Sequence, residues 1–534
     1  MTKRTLLIFS ILCSSTLYAQ LTMQSGAILL IESGAKITVK GNVSSSAQII
    51  NNGVLEVQGD FVNNGTYESV TSDDSLILSG AGNVTLNTGG ATLNNLQVNK
   101  VGGGVTLAGN AAVGTKLEVL AGTFSTDPTQ TYEVIAPFAA TFTFATGTEI
   151  TGKVRRTGWA NGSPKVFNAT NMILKTTGGT SPSGILVNMI PNGDPTGVER
   201  EVKRTFNFTS TGGAGYTADV TFPYKTAEIN TNTEASLAPW YYTASEWNAK
   251  LTGNTVNAAS AFVSTGAIDA VSFSTNQWKL ADPNYALNVS TILRGAWNSG
   301  TGLMNTTLNS SGLIQLGQPF NTPNFNYTGT EKVGAIPNAN IVDWALLELR
   351  KPASGLPADA LSSTIIGRKA VFLLNNGALA DLNGVPIPLV TISKQGASFV
   401  VVRHRNHLAV MSNSIPSNAA GTFANNFGLL ANAYKKPGAS SEPEILLPSS
   451  TSYGLWPGDA NKNNSVNSID LNAVKAAISI LLSGYQFQDV NLNGGINSLD
   501  LNLLKGTISV LGSSSAAARG LNNRQTIVTT HVPD

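Results

Sequence analysis

Residues 458–481 read GDANKNNSVNSIDLNAVKAAISIL, and residues 488–511 read QDVNLNGGINSLDLNLLKGTISVL. The second copy follows the first after about 30 residues, a period that suits two helical hairpin units. Asp459, Asn461, Asn463, Asn467 and Asp470 recur as Asp489, Asn491, Asn493, Asn497 and Asp500. Oxygen-bearing side chains at positions 1, 3, 5, 9 and 12 of a loop form the pattern that wraps Ca2+, a hard cation with oxygen ligands. At position 7, Ser465 and Gly495 would each supply a backbone carbonyl. At position 8, the apolar Val466 and Ile496 would turn inward. The stretch predicts two calcium sites.

After each loop the apolar period becomes helical. Leu471, Val474, Ile478 and Leu481 recur as Leu501, Leu504, Ile508 and Leu511, on one face of a helix. Gly484 and Gly512 stand where those helices should stop. The tandem loop–helix pattern, with Asp at position 12 and Lys475 and Lys505 beyond, resembles the dockerin family. The resemblance implies an α-helical, EF-hand-type module over residues 455–515, Ca2+ as cofactor and a cohesin-like partner. It also implies that Ser468, Ile469 and Lys475, or equally Ser498, Leu499 and Lys505, meet that partner. Two departures matter. Asn464 stands at position 6, where Gly is usual, and Asn tolerates the left-handed conformation. Position 5 is Asn in both loops, so each offers two carboxylates, which predicts modest affinity.

Residues 1–19 read as a signal peptide: Lys3 and Arg4, an apolar run from Leu6 to Leu12, and a small-residue end at Ala19. Cys13, the only cysteine, would leave with it, so the exported chain has no disulfide and no thiol nucleophile. Losing Lys3 and Arg4 brings 33 Lys+Arg level with 31 Asp+Glu. A neutral chain has no electrostatic footprint for nucleic acid. No later stretch reaches the roughly 18 apolar residues of a transmembrane segment. The expected location is extracellular or cell-surface, after Sec export.

The body reads as mainly β. Over residues 20–127, Ile37-Thr-Val39-Lys-Gly41 returns as Leu55-Glu-Val57-Gln-Gly59, then as Leu76-Ile-Leu78-Ser-Gly80 and Val105-Thr-Leu107-Ala-Gly109. Apolar residues two apart with a Gly corner, returning every coil, predict a parallel β-solenoid, with a sandwich of hairpins as the alternative. Residues 128–282 carry longer alternating strands, 202–208 and 216–222, and Trp240, Trp247, Phe273 and Trp278. They predict a β-sandwich whose aromatics are core or, alternatively, a sugar-stacking platform. Residues 283–448 predict a second sandwich, immunoglobulin-like or jelly-roll, ahead of a linker at 435–443. Residues 516–534 read as a flexible tail. Residues 341–344, 368–373 and 402–412 carry a further resemblance to large exported hemagglutinin- or adhesin-like surface proteins.

Catalytic patterns are missing: there is no G-x-S-x-G, P-loop or H-E-x-x-H. His404 and His407, three apart on one strand, would face opposite ways and share no metal. His404 falls with Val400, Val402 and Leu408, a core pattern, while Arg403, Arg405 and His407 predict a solvated edge. Glycoside hydrolysis needs two carboxylates about 5 to 9 Å apart. The nearest candidates are Glu199 with Glu201 and Asp343 with Glu348. Arg200, Lys203 and Arg204 assign the first pair to surface ion pairing. The sequence therefore reads as a secreted, non-catalytic, adhesin-like protein, attached through its calcium module or clasped by it internally. Its ligand would be a polysaccharide or a cell surface. The alternative is a polysaccharide-degrading subunit (a glycoside hydrolase or polysaccharide lyase, or a carbohydrate-binding subunit) carried to a scaffold.

Overall fold

A computed structural model describes residues 20–126, 131–192, 200–396, 398–413, 421–514 and 527–534. The expected signal peptide, Glu199 and residues 516–526 lie outside the described residues. The described residues form two compact units, one drawn from residues 1–194, 202–229 and 252–280 and the other from 195–201, 230–251 and 281–534.

The first unit begins as a parallel β-solenoid of about six turns. One column of inward side chains runs Val39, Val57, Leu78, Val98, Val119, and a second runs Ile37, Leu55, Leu76, Leu96, Leu117. The motif that stops at Leu78 in the sequence thus continues at Leu96 and Val98. The expected fourth echo, Val105 and Leu107, lies in another face of the prism, beside Val84 and Leu86. Strand pairing sets the columns while the corners absorb length: a coil takes 18 residues from Val43 to Phe61 and 26 from Phe124 to Ile150. That drift hides the period in the sequence.

Asparagines hold the corners. The buried Asn51 donates to Tyr67 Oη (2.9 Å) and to the Ser75 carbonyl (3.1 Å), and Asn63 donates to the Thr88 carbonyl (3.2 Å). Gly65 follows because a Cβ there would collide with the Ala47 carbonyl.

Parallel pairing runs past residue 127 to the strand Ile150–Thr157, which pairs in parallel with Val134–Pro137 and antiparallel with Gly184–Pro191. One strand thus turns the solenoid into a sandwich. The second sheet contains Ile173–Thr177, Thr217–Pro223 and Phe262–Asp269. Between the sheets, Phe208 stacks on Phe273 at 4.8 Å, and Phe222 meets Phe206 at 5.1 Å and Trp278 at 5.8 Å.

In the second unit, Leu379–Ala380, Ile365–Leu374, Ile341–Arg350, Phe399–Arg403 and Val410–Met411 form one antiparallel sheet. A three-stranded sheet is centred on Asn284–Ser290. Trp344, Phe372, Val400, Tyr285, Leu287 and Phe423 share one buried core, joined by Trp240 and Trp247. Trp240, Trp247, Phe273 and Trp278 are all buried. The sugar-stacking alternative therefore fails, because no ring face among them is free. Residues 435–443, expected as a linker, are tied down: Lys436 N donates to His531 Nδ1 and Trp456 Nε1 to the Glu442 carbonyl, each at 2.9 Å. Ile445–Leu446 pairs with Tyr453–Gly454, and Leu408 N donates to the Trp456 carbonyl at 2.9 Å. No helix among the described residues is long and apolar enough to cross a membrane.

Candidate functional site

Two loops followed by two helices, Ser468–Ser479 and Ser498–Ser514, lie at the end of the second unit. In the first loop, Asp459 Oδ1 and Oδ2 accept from the backbone N–H of Asn463 (2.9 Å) and Asn464 (3.0 Å). Asp470 accepts from Asn461 N (3.2 Å) and Asn467 N (2.9 Å). The second loop repeats this bond for bond: Asp489 with Asn493 (3.0 Å) and Gly494 (2.8 Å), Asp500 with Asn491 (3.1 Å) and Asn497 (2.9 Å). Asn461 and Asn491 each accept from the N–H two residues on, at 3.1 Å. Asn463 and Asn493 do likewise, toward Ser465 and Gly495. Asn467 and Asn497 cap the helices by accepting from Ile469 N and Leu499 N, each at 2.8 Å. Asn464, the departure at position 6, has φ of 64°, and Gly494 has φ of 83°. Both take the left-handed turn the loop requires.

All four loop aspartates are buried. Burial pushes Asp459 up to about 7, with Asp470 adding to it, and Asp489 up to about 6 against the opposing charge of Arg405. Burial also raises Asp470 and Asp500. Two buried carboxylates per loop, with asparagine side chains at positions 3, 5 and 9 of the same loop, fit a hard cation with oxygen ligands. Among the described residues no group of three or more His, Cys, Asp or Glu gathers at one place, in these loops or outside them, so each loop offers two carboxylates and otherwise amide and carbonyl oxygens.

The helices turn Val474, Ala477 and Leu504 inward, with Leu471, Leu501 and Ile508 half-buried around them. Ser468, Ile469, Lys475, Ser498, Leu499 and Lys505 all face solvent.

Sequence reasoning missed the anchor of this module. The Asn406 carbonyl accepts from Gly458 N (3.0 Å) and Asp459 N (3.1 Å), at the start of the first loop. Its Nδ2 donates to the carbonyls of Phe487 (3.2 Å) and Asp489 (2.7 Å), at the start of the second. One residue thus joins position 1 of both loops. Its Oδ1 faces His407 Nδ1 at 2.9 Å, and His407 Nε2 accepts from Gly295 N at 3.1 Å. With Nε2 accepting, the proton sits on Nδ1.

Beside it, Asp343 gathers Tyr485 Oη (2.5 Å), Arg405 Nε (2.8 Å), His404 Nε2 (3.1 Å) and Trp344 N (2.8 Å). Arg405 Nη1 also donates to the Gln486 carbonyl.

This corrects several expectations. His404 and His407 lie beyond the strand Phe399–Arg403, and their rings meet at 5.0 Å rather than facing opposite ways. His404 is a core histidine, and burial lowers the pKa of both. Arg403, Arg405 and His407 are buried, not a solvated edge.

Asp343 and Glu348 are held by fixed cations. Burial would raise Asp343, but Arg405, His404 and Tyr485 outweigh it and hold its carboxyl well below the usual range. Glu348, likewise lowered against burial, meets Arg350 (2.7 Å), Arg368 (2.7 Å) and Arg403 (3.2 Å). A carboxylate so paired is a poor proton donor. Glu201 is buried, and Arg200 donates to the carbonyls of Asp282 and Asn284. Arg200 and Glu201 are thus both buried rather than at the surface, and Arg200 serves the backbone. His531 is also buried, not part of a loose tail.

No curated protein and no solved structure matches the chain. Residues 457–509 match the family model of the dockerin type I domain. The tandem loops and their two helices are accordingly a type I dockerin domain at the C-terminal end of this β-rich chain.

Proposed function

We propose that this is an exported, non-catalytic surface protein, attached through a dockerin domain that holds Ca2+ in two loops. In the first loop Asp459, Asn461, Asn463, Ser465, Asn467 and Asp470 would hold the ion. In the second, Asp489, Asn491, Asn493, Gly495, Asn497 and Asp500 would do so. The ion would supply positive charge to offset the buried aspartates. The partner is a cohesin-like protein, and the β-rich remainder presents a surface to a glycan or a cell. The observation that carries this reading is the exposure, copy for copy, of Ser468, Ile469 and Lys475 and of Ser498, Leu499 and Lys505, while the opposite helix faces are buried. The polysaccharide-degrading alternative is not favoured, since Asp343 and Glu348 are both tied to arginine.

A second reading, an internal calcium brace, gains support from Asn406, which ties both loops to the sandwich. Titration calorimetry of the full chain against cohesin modules, in calcium and in chelator, separates the two. Docking requires calcium-dependent binding that weakens at least tenfold in an Ile469→Asp, Leu499→Asp double variant. Calcium-dependent stabilisation with no cohesin binding leaves the brace alone.

A further inference from the structure

The sequence assigns residues 527–534 to a flexible tail, yet they lie extended in a groove of the second unit, with contacts along their length. Val528–Thr529 adds as an antiparallel strand to Ser465–Val466, positions 7 and 8 of the first loop. Thr530 N donates to the Asn464 carbonyl (3.0 Å), and Thr530 Oγ1 to the Ala409 carbonyl (2.8 Å). His531 Nδ1 accepts from Lys436 N at 2.9 Å, and its Nε2 faces Ser441 Oγ at 3.2 Å. Val528 is fully buried in the dockerin core, and Val532 is buried with Phe399, Val401 and Tyr434 of the sandwich.

The far end of the groove is cationic. Arg350 and Arg403 stand on neighbouring strands and share Glu348 with Arg368, so three guanidinium groups surround one carboxylate. Arg350 Nη1 donates to the Pro533 carbonyl (2.6 Å). Asp534 Oδ1 accepts from Arg403 Nη2 (2.9 Å), and Oδ2 from Asn464 Nδ2 (3.3 Å). A strand edge, apolar sockets and a charged end-pocket are the three parts of extended-peptide recognition. Main-chain pairing supplies affinity, and the pockets supply specificity.

We propose that this groove is a peptide-binding site of the strand-addition kind, and that residues 527–534 are its ligand in cis. The site selects an extended segment with apolar residues four apart and an acidic residue two positions further on. When filled, it closes the first loop against the sandwich. This does not depend on docking to a cohesin.

The test keeps the full chain and places a specific protease site within residues 516–526. After cleavage, native mass spectrometry should find the fragment still bound. Competition with a dye-labelled peptide of residues 527–534 should replace it at one peptide per chain. Peptides carrying Val532→Asp or Asp534→Lys should bind at least tenfold more weakly, and the uncleaved chain should not take up the labelled peptide. Three results would each overturn the proposal: fragment loss that peptide cannot reverse, equal uptake by the uncleaved chain, or indifference to both peptide substitutions.

Discussion

The first and second dockerin loops carry the same side chains at positions 1, 3, 5, 9 and 12 and make matching internal hydrogen bonds. Their surroundings differ. The first is paired to Ser465–Val466's partner strand Val528–Thr529, and Asn324 Nδ2 donates to the Lys462 carbonyl. The second is fastened by Gly484 N to the Gly494 carbonyl (2.8 Å), packs Gly494 against Leu313, and has Arg405 near Asp489. The consequence is visible in the aspartates at position 1. Burial, with Asp470 beside it, pushes Asp459 up to about 7; burial and Asp500 push Asp489 up to about 6, with Arg405 opposing them. A repeat copies the ligands; the surrounding fold decides what each copy costs to charge.

The largest expected effect comes from Asp343→Ala. It leaves the buried Arg405, which reaches the second loop through the Gln486 carbonyl, without its carboxylate. Removing one partner of a buried ion pair costs about 3–5 kcal/mol, read as a lower denaturant midpoint. Calorimetric calcium titration should show one site weakened and the other little changed. Equal weakening of both sites would break the comparison.

Next is a pH term that would otherwise blur the two loops. Glu444 lies in the segment leading to the first loop, fully buried, and no hydrogen-bond partner among the described residues reaches either oxygen. Burial pushes its pKa up to about 9 from 4.5. The folded state therefore holds the proton more tightly than the unfolded one. Its contribution is fully present below about pH 4.5 and is lost as pH rises toward 9. Glu444→Gln should remove that loss, on the order of 3 kcal/mol at pH 7. Thermal unfolding of the variant and its parent at pH 5 and pH 8 checks it; a gap that does not widen with pH would contradict it.

Asn406→Ala should act first on the second loop, because the bonds to the first run through its backbone carbonyl, which alanine keeps. It frees the buried carbonyls of Phe487 and Asp489, a loss of about 1–3 kcal/mol. Hydrogen exchange around Val490 should quicken more than around Ala460, and equal quickening in both loops would contradict this division between side chain and backbone.

The smallest effect is Asn464→Gly, which makes the first loop match the second at position 6. Relief of the left-handed strain and loss of the Asp534 contact nearly cancel, within about 0.5 kcal/mol. Calorimetry should leave the two calcium sites as different as before. Equalised sites would mean that position 6, not the surroundings, sets the difference.

Local patterns were legible in the sequence because they are local physics. Asp459 to Asp470 and its copy repeat a loop whose bonds close within a few residues. Leu471, Val474 and Ile478 mark a helix face, and Ile37 and Val39 mark an inward strand. The solenoid was legible as a class but not coil by coil, since pairing fixes the inward columns while the corners vary in length. Leu96 and Val98 continue the column that Val105 and Leu107 only imitate. The anchor was not legible. Asp343, Arg405, Asn406 and Tyr485 lie up to 142 residues apart in the chain, and each reads alone as an ordinary polar residue. Burial makes them partners: once water is excluded, a carboxylate, a guanidinium and two exposed loop ends must satisfy one another. The same cause turns residues 527–534 from an expected tail into a strand, because their donors and apolar side chains have partners only in the folded second unit.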